Sequence, residues 1–387
     1  MDTIAVIFGG RSAEHDVSII TALSSIIKPL ELTEKYRVEA IYISKEGAWY
    51  WDEKLKNIDL YSSGKIKDFI KKNHPVSLKF DGGLTLIKSG RQRIRSSSLK
   101  VDVVFPSMHG TYGEDGALMG LLDMAGVAYV GCDLASSTIA MDKILAKEVA
   151  IANQIPVTKF VIANKEEIDK DIASVIKRVT TKLSYPLFIK PTHLGSSIGI
   201  SRAQDQTALS NGLEVAATYD DMVVIEEEVP NLIEVTLPII GNDVLTPAML
   251  EQPMTKPEDF FDFETKYLQG GKKGKGKAGK GSQGYSKIPA DLPKDLYKKA
   301  LDLGLRTYQI VGCQGIARVD MLIDSKKGEV YFNEINPLPG GLYAHNWRAA
   351  GISSVELVDR LVNMAKERFE KQQKLATTFD TNYLQQF

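Results

Sequence analysis

NEINPLPGGLYAHNW, residues 333–347, ends an apolar strand on a carboxylate and an amide and then changes character. Side chains alternate between the two faces of a strand, so EVYFNEIN at 329–336 places Glu334 and Asn336 on one face. Pro and Gly residues then end the strand, and an aromatic run containing a histidine follows. The stretch predicts a polar site at a strand end, beside a loop.

The preceding strand carries the partners of this site. In GIARVDMLID, residues 315–324, the same alternation places Arg318 and Asp320 on one face. Two carboxylates and an amide oxygen, with no His or Cys nearby in the sequence, are the hard oxygen ligands that suit Mg²⁺. The alternative is a surface hairpin whose polar face lies in water.

The turn between the two strands decides whether their polar faces coincide. If KKG at 326–328 forms a three-residue loop with Gly328 in the left-handed conformation, Ser325 pairs with Glu329. This register brings four polar groups together as two facing pairs, Asp320 with Glu334 and Arg318 with Asn336.

Length and charge favour a multidomain protein that acts on small molecules. A chain of 387 residues is long enough for two or three domains. Forty-eight basic and 49 acidic residues give a formal charge of -1, which offers no general field for nucleic acid or an anionic membrane. Cys132 and Cys313 follow Gly in apolar stretches and suit buried small side chains in a reducing cytoplasm. The sequence contains neither a signal peptide pattern nor an apolar stretch near the ~20 residues of a membrane span.

The order of apolar runs predicts an α/β (α+β) protein. TIAVIF, a Gly turn and a buried helical segment open the chain, and RVEAIYIS, VDVVFP and a helical GALMGLLDMAG continue the alternation expected of a parallel sheet covered by helices. We place the N-terminal domain at 1–130, a smaller α+β unit at 131–222 and the C-terminal domain at 223–387. We also expect one helix from Asp133 or Ser136 to about Asn153, and a strand at VLTPAML.

Two further stretches could bind a nucleotide. LFIKPTHLGSSIGIS puts Lys190 at a strand end before a Gly- and Ser-rich loop, which could hold phosphate or be a flexible hairpin. IEEEVPNLIE could present backbone groups to an adenine and a carboxylate to a ribose, or be a solvated edge strand.

Two Gly-containing turns at strand ends, FGGRSAEHDVS and MHGTYGEDGALMG, lie where α/β folds bind ligands. Glu14, His15, His109, Glu114 and Asp115 could therefore face a shared cleft, although a lone His near a turn is more often structural.

The Lys- and Gly-rich loop at 268–285 contains no acidic residue and few groups that can pack. It is either an inserted surface loop or a lid over phosphate. A nucleic-acid patch is less favoured because no aromatic residue lies among the lysines to stack on bases.

Taken in order, these stretches resemble the D-alanyl-D-alanine ligase family of ATP-grasp enzymes. The matching motifs are GGRSAEHDVS, HGTYGEDG, MDK, KPTHLGSSIG, KY, ARVDM and NEINPLPG, and they span residues 9–340. The resemblance implies an ATP-grasp fold of three domains with a Rossmann-like N-terminal domain. It also implies a cytoplasmic homodimer that forms D-alanyl-D-alanine through an acyl phosphate, for peptidoglycan precursors.

The resemblance further implies roles for individual residues. The ATP site would contain Lys143, Lys190, Glu227, Glu228, Val229, Glu234 and Lys266. Two Mg²⁺ ions, or Mn²⁺, would bind Asp320, Glu334 and Asn336. The residues at the reacting groups would be Glu14, Ser196, Tyr267, Arg318 and Gly340, with His109 in the substrate site and loop 268–285 as the lid.

The resemblance weakens after Gly340. Family members typically continue with a Thr, a Ser and a Pro, and that Ser helps to bind the carboxylate of the second substrate. Residues 341–352, GLYAHNWRAAGI, contain none of the three. Either His345 or Arg348 takes over the carboxylate, or the ligase uses another amino acid, an amine or D-lactate as its second substrate.

Overall fold

A computed structural model describes residues 1–89, 96–254, 286–378 and 381–387. The strands are β1 Thr3–Gly9, β2 Arg37–Ile43, β3 Trp49–Trp51, β4 Ser77–Phe80, β5 Leu84–Lys88, β6 Ser97–Val101, β7 Val103–Pro106, β8 Ala128–Tyr129, β9 Phe160–Asn164, β10 Leu187–Pro191, β11 Ser201–Ala203, β12 Met222–Glu227, β13 Leu232–Gly241, β14 Thr246–Pro247, β15 Gln252–Pro253, β16 Ser286–Lys287, β17 Gly315–Asp324 and β18 Glu329–Asn336.

The helices are α1 His15–Thr21, α2 Lys28–Leu32, α3 Asp59–Ser62, α4 Ile66–Lys72, α5 Ala117–Ala125, α6 Leu134–Met141, α7 Lys143–Ala152, α8 Lys165–Lys182, α9 Gln206–Tyr219, α10 Lys294–Val311, α11 Ala344–Ala349 and α12 Ser354–Gln373. A π-helical segment, Ala22–Ile27, joins α1 to α2, and 3₁₀ turns occupy Glu53–Lys56, Gly340–Tyr343 and Tyr383–Gln386. Within the described ranges, no helix has the length and apolar character needed to cross a bilayer.

The N-terminal sheet has the strand order β3-β2-β1-β7-β8. Its central strand β1 pairs in parallel with β2 and β7, and every residue of β1 is buried. An apolar strand buried on both faces is what a parallel sheet covered by helices requires. A small antiparallel sheet, β4-β5-β6, lies beside it and was not predicted from the sequence.

Two antiparallel sheets follow, and the predicted ATP site draws residues from both. The sheet β11-β10-β12-β9 is covered by α8 and α9, and the sheet β14-β13-β17-β18 is covered by α10. Helix α7 contacts both α10 and β18. The side chains of α7 therefore lie near the strand that carries Glu334 and Asn336.

The C-terminal helix α12 returns to the N-terminal sheet. Leu357 and Leu361 of α12 are buried in the same core as Ile4 and Phe8 of β1. The beginning and the end of the chain therefore share one hydrophobic core.

Three sequence predictions about local structure are wrong. The single helix expected up to Asn153 is divided between α6 and α7, because Asp142 is extended and its carboxylate accepts from the backbone N–H groups of Ile144 and Leu145, both at 2.9 Å. A carboxylate at the N-cap position accepts from the first backbone N–H groups of a helix and thereby stabilises a new helix start. The strand expected at VLTPAML is reduced to Thr246–Pro247.

The third correction concerns the hairpin turn between β17 and β18. Asp324, not Ser325, pairs with Glu329, so the loop has four residues, and the carboxylate of Asp324 accepts from two backbone N–H groups within it. A register shift between Asp320 and Met321 compensates for the longer loop. Gly328 is left-handed (φ 66°), as predicted, and both predicted facing pairs form, Asp320 with Glu334 and Arg318 with Asn336.

Candidate active site

The polar face of β17 and β18 brings a cation and an anion together. The Nε and Nη2 atoms of Arg318 donate to the two carboxylate oxygens of Asp320 at 2.7 and 2.5 Å. Burial raises the pKa of Asp320 above its usual range, Arg318 opposes that rise, and the carboxylate of Glu334 adds to it. Two carboxylates that repel each other beside an amide oxygen are a donor set that a divalent cation would stabilise. The residues present therefore fit Mg²⁺.

Lysine side chains meet at the junction of α7, β10 and β12. Lys143 is buried and its ammonium donates to the backbone carbonyl of Leu194 at 2.5 Å. Lys190 donates to the Oδ1 of Asn333 at 3.2 Å, and its ammonium also lies 3.3 Å from Glu226. Burial lowers the pKa of Lys143, which is the expected effect of removing an ammonium from water.

The loop between β10 and β11 forms a turn of backbone groups beside these lysines. Ser196 and Ser197 both have positive φ, 52° and 60°, as does Gly199 at 72°. Strained non-glycine conformations of this kind concentrate at ligand sites. His193 anchors the start of the loop because its backbone N–H donates to Asp220 at 2.6 Å and its ring lies 3.0 Å from the same carboxylate.

The strand β12 runs into the predicted adenine site. The carboxylate of Glu227 accepts from the backbone N–H of Ser184 at 2.9 Å, and that of Glu228 accepts from the Nε of Arg202 at 2.7 Å. Both acidic side chains are thus held by neighbours, and the backbone N–H groups of Glu227 and Glu228 donate to the carbonyls of Lys159 and Pro186. Val229 is buried, and Glu234 lies on β13 opposite Leu322.

The side of the cleft formed by the N-terminal sheet contains Glu14 and His109. The Ser196 hydroxyl donates to Glu14, so the Gly- and Ser-rich loop touches the N-terminal domain. Burial and the nearby Glu114 raise the pKa of Glu14. Burial opposes the charge on His109, but Glu114 and Glu14 raise its pKa above the usual value.

Thr21 joins this side of the cleft to the loop that follows β18. Its hydroxyl lies 3.0 Å from the Nε2 of His109 and accepts from the backbone N–H of Gly341 at 3.2 Å. His15, in contrast, is a structural residue, since its ring contacts the carbonyl of Gly10 and the hydroxyl of Tyr42 inside the first core.

The segment after Gly340 is strained. Gly341, Leu342 and Tyr343 are left-handed in succession, with φ of 59°, 53° and 52°. This turn places the Tyr343 ring against Arg318, whose Cζ lies 5.0 Å from the ring centroid. A cation over an aromatic face is a favourable contact, and it offsets part of the strain.

His345 forms an ion pair below Tyr343. Its Nε2 lies 2.8 and 3.1 Å from the two oxygens of Glu251, and its ring centroid lies 4.9 Å from that of Tyr343. Burial alone would raise the pKa of Glu251, but His345 and Asn346 lower it, so the carboxylate is ionised. Arg348 is exposed and its Nη1 lies 3.4 Å from the hydroxyl of Ser354, away from this pair.

The structure places most predicted site residues around one cleft. Lys266, Tyr267 and the loop 268–285 lie outside the described residues. Four residues beside the predicted site residues were not predicted from the sequence: Lys147, Glu226, Glu251 and Tyr343. The spacing of Lys147 four residues after Lys143 could have revealed it, because such residues share one face of a helix. Nothing local links Glu251 to His345, which are 94 residues apart.

Comparison with known proteins places this chain in a family. Two sequence models of that family match the chain: D-ala D-ala ligase N-terminus over residues 3–132 and D-ala D-ala ligase C-terminus over residues 149–363. The chain is 36% identical over 380 residues to the D-alanine--D-alanine ligase of Acetivibrio thermocellus, covering 95% of this chain and 96% of that protein.

Two solved structures are similar to this one. The D-alanine-D-alanine ligase from Coxiella burnetii has a TM-score of 0.77 at 26% identity, over 96% of both chains. The VanG D-Ala:D-Ser ligase from Enterococcus faecalis has a TM-score of 0.75 at 30% identity, over 94% of this chain and 99% of that one.

Proposed function

Because the chain belongs to the D-Ala-D-Ala ligase family, we propose that it joins two D-alanine molecules in an ATP-dependent reaction for peptidoglycan synthesis. It is an ATP-dependent carboxylate–amine ligase, and the family uses a divalent metal. The observation that carries the proposal is the register of β17 and β18, which puts Arg318, Asp320, Glu334 and Asn336 on one face of a chain whose two halves both match the family.

We propose that the junction of α7, β10 and β12 holds ATP. Lys143 and Lys190 bind its phosphates, with the ammonium of Lys266 on the transferred group. The backbone beside Glu227, Glu228 and Val229 faces the adenine, and Glu234 binds the ribose. The positive potential of these lysines and the backbone turn at 192–199 support this placement.

Asp320, Glu334 and Asn336 would hold two Mg²⁺ ions, with Mn²⁺ as a possible substitute. Bound there, the metal would neutralise negative charge on the transferred phosphate. Arg318 keeps Asp320 oriented from one side, because both of its bonds to that carboxylate come from one edge of the guanidinium. The opposite edge is directed elsewhere and can serve the reacting carbonyl.

The first D-alanine would bind between the N-terminal sheet and the loop at 192–199. Glu14 would receive its ammonium and is fixed by the hydroxyl of Ser196, with Tyr267 as the further partner that the family resemblance implies. His109, whose pKa Glu114 and Glu14 raise, lies behind the same pocket. The carboxylate of this D-alanine attacks the terminal phosphate of ATP, and an acyl phosphate and ADP form.

The second D-alanine would then attack the acyl phosphate with its amine. Its nitrogen bonds to the carbonyl carbon, phosphate leaves, and Arg318 with the backbone N–H of Gly340 stabilises the oxyanion between these events. The loop at 268–285 closes over the site and excludes water, which would otherwise hydrolyse the acyl phosphate.

The carboxylate of the second D-alanine would bind His345. Both carboxylate oxygens of Glu251 contact the Nε2 of this imidazole, and the ring of Tyr343 lies against both His345 and Arg318. Arg348 is a weaker candidate because its guanidinium is exposed and directed to Ser354.

A substrate panel tests the proposal. ADP release is measured with D-alanine alone, then with a low fixed amount of D-alanine plus D-serine, D-lactate or a simple amine, and the products are identified by mass spectrometry. We expect D-alanyl-D-alanine as the dominant product. Turnover that requires a partner other than D-alanine would contradict it. We also propose a cytoplasmic homodimer, which light scattering coupled to size exclusion would check.

A further inference from the structure

Lys147 is a buried charge that the proposed reaction does not use. It lies on α7, one turn after Lys143, and its side chain is 1% exposed. Lysine is almost never fully buried unless its ammonium is paired. Burial lowers the pKa of Lys147 from its ordinary value, and Glu226 opposes that change.

One carboxylate oxygen of Glu226 lies against Lys147. The Lys147 ammonium lies 3.3 Å from Oε2 of Glu226 and 3.3 Å from the hydroxyl of Thr158. That hydroxyl donates to the same Oε2 at 2.7 Å. Oε2 of Glu226 is therefore fixed by one hydrogen-bond donor, Thr158, and by the ion pair with Lys147, which itself donates to Thr158.

The other oxygen of Glu226 faces Lys190. The Lys190 ammonium lies 3.3 Å from Oε1, yet within the described residues Oε1 has no hydrogen-bond partner. The contact is thus an ion pair without hydrogen-bond geometry. Although burial alone would raise the pKa of Glu226, Lys147 and Lys190 lower it to about 2, so the cluster contains one anion and two cations.

We propose that Lys147 is a positioning residue that keeps Glu226 from neutralising Lys190. By holding Oε2, Lys147 and Thr158 limit Glu226 to an imperfect contact with Lys190, and the charge of Lys190 stays available to an incoming phosphate. Removing Lys147 would free the carboxylate to rotate onto Lys190 and would leave the pair neutral. This inference rests on the proposed ATP site.

The test compares two variants that break the same buried ion pair. Lys147→Met leaves the Glu226 carboxylate to pair fully with Lys190, whereas Glu226→Gln removes the carboxylate and leaves the charge of Lys190. We expect Lys147→Met to raise the KM for ATP about tenfold or more, with the KM for D-alanine little changed. Glu226→Gln should leave the KM for ATP unchanged or lower it, although both variants should unfold at a lower temperature.

The double variant Lys147→Met/Glu226→Gln provides the decisive comparison. Since it contains neither charge, we expect a KM for ATP within about threefold of wild type. A merely structural role would raise the KM for ATP in all three variants alike, and that result, or an unchanged KM in Lys147→Met, would overturn the inference. Should Lys147→Met fail to fold, Lys147→Gln gives the same comparison with a neutral hydrogen-bonding side chain.

Direct binding separates this inference from the proposed function. Calorimetric titration with a non-hydrolysable ATP analogue and Mg²⁺ needs no turnover. If wild type binds the analogue but forms no dipeptide, only the proposed reaction fails. If Lys147→Met and Glu226→Gln bind the analogue equally well, the role of Lys147 fails while the reaction stands.

Discussion

The carboxylate of Asp320 is paired with a cation and also lies close to a second carboxylate. It is paired with Arg318, yet burial and Glu334 still raise its pKa, so the carboxylate is held ready for a stronger cation. We expect Asp320→Asn to lower kcat by on the order of 10²-fold or more, because a neutral amide binds Mg²⁺ poorly. ADP release measured across a Mg²⁺ titration checks this.

Asp324 on the same strand provides the control for Asp320. Among the residues that the structure describes, its carboxylate accepts only from the backbone of the hairpin turn and from Asn231. Asp324→Asn should therefore lower the temperature of unfolding and leave Mg²⁺-dependent turnover intact. Equal loss of turnover in both variants would show that Asp320 is structural.

Matched substitutions of His345 and Arg348 test which side chain binds the carboxylate of the second D-alanine. We expect His345→Gln to raise the KM for the second D-alanine about tenfold, since the imidazole that would contact its carboxylate is lost. Arg348→Gln should leave both KM values unchanged because that side chain is exposed and directed to Ser354. Initial rates over a grid of D-alanine concentrations resolve the two binding events. The opposite ranking would assign the carboxylate to Arg348.

At the scale of single elements, the loop at 192–199 depends on the charge of His193. Asp220, and less strongly Asp142, raise the pKa of His193 above its usual value of 6.5. These partners exist only in the folded loop, so the ion pairs stabilise it fully below about pH 6.5. The stabilisation is lost as the pH rises through the raised pKa.

Hydrogen exchange of residues 192–199 measures this dependence. The free energy of local opening should fall with rising pH above about 6.5 in wild type, and it should be lower and independent of pH in His193→Gln. Identical profiles for the two proteins would show that the imidazole does not hold the loop.

The end of α2 contains a left-handed residue that is not glycine. Glu34 has a φ of 56°, is exposed, and follows the helix that ends at Leu32. We expect Glu34→Gly to increase the free energy of unfolding by about 0.5 to 1 kcal/mol, because only glycine adopts this conformation without strain. Denaturant unfolding measures the change, and turnover should be unaffected. A loss of stability would indicate that the Glu34 side chain contributes more than its backbone costs.

The secondary-structure elements also show which local features can be predicted from the sequence and which cannot. Strand alternation put Arg318 and Asp320 on one face, because the side-chain period of a strand is fixed, and an assumed hairpin register set Asp320 opposite Glu334. The predicted turn was one residue too short, and only an extra residue in β18, Asn333, preserved the pairing. Capping by Asp142 overrode the apolar periodicity that suggested a single helix.

Long-range contacts set the limit of prediction from this sequence. The pairing of Glu251 with His345, and of Glu226 with Lys147 and Lys190, depends on how separate sheets pack, and no local pattern encodes it. The family motifs predict which residues bind ATP and metal, and these roles stay predictions. The segment after Gly340 departs from the motifs, and there only the structure shows which side chains meet.

At the scale of the whole molecule, α12 ties the C-terminal part of the chain to the N-terminal sheet. Leu361 is fully buried in the core formed with β1, and Arg368 donates to the carbonyls of Gly131 and Tyr129 at 2.5 and 2.8 Å. We expect Leu361→Ala to lower the free energy of unfolding by about 2 to 5 kcal/mol. Urea unfolding followed by circular dichroism measures it, with the exposed Lys374→Ala as the control. A change below about 0.5 kcal/mol would mean that the helix docks without contributing to stability.

The shared core also has a consequence for how the protein is made. On the ribosome the strands of the N-terminal sheet emerge first, but one part of their apolar core is completed only by residues near 357–365. Nascent chains therefore expose an unfinished sheet during nearly the whole of translation, when hydrophobic surface is open to aggregation. We expect the N-terminal sheet to be among the last parts of the protein to acquire its complete core.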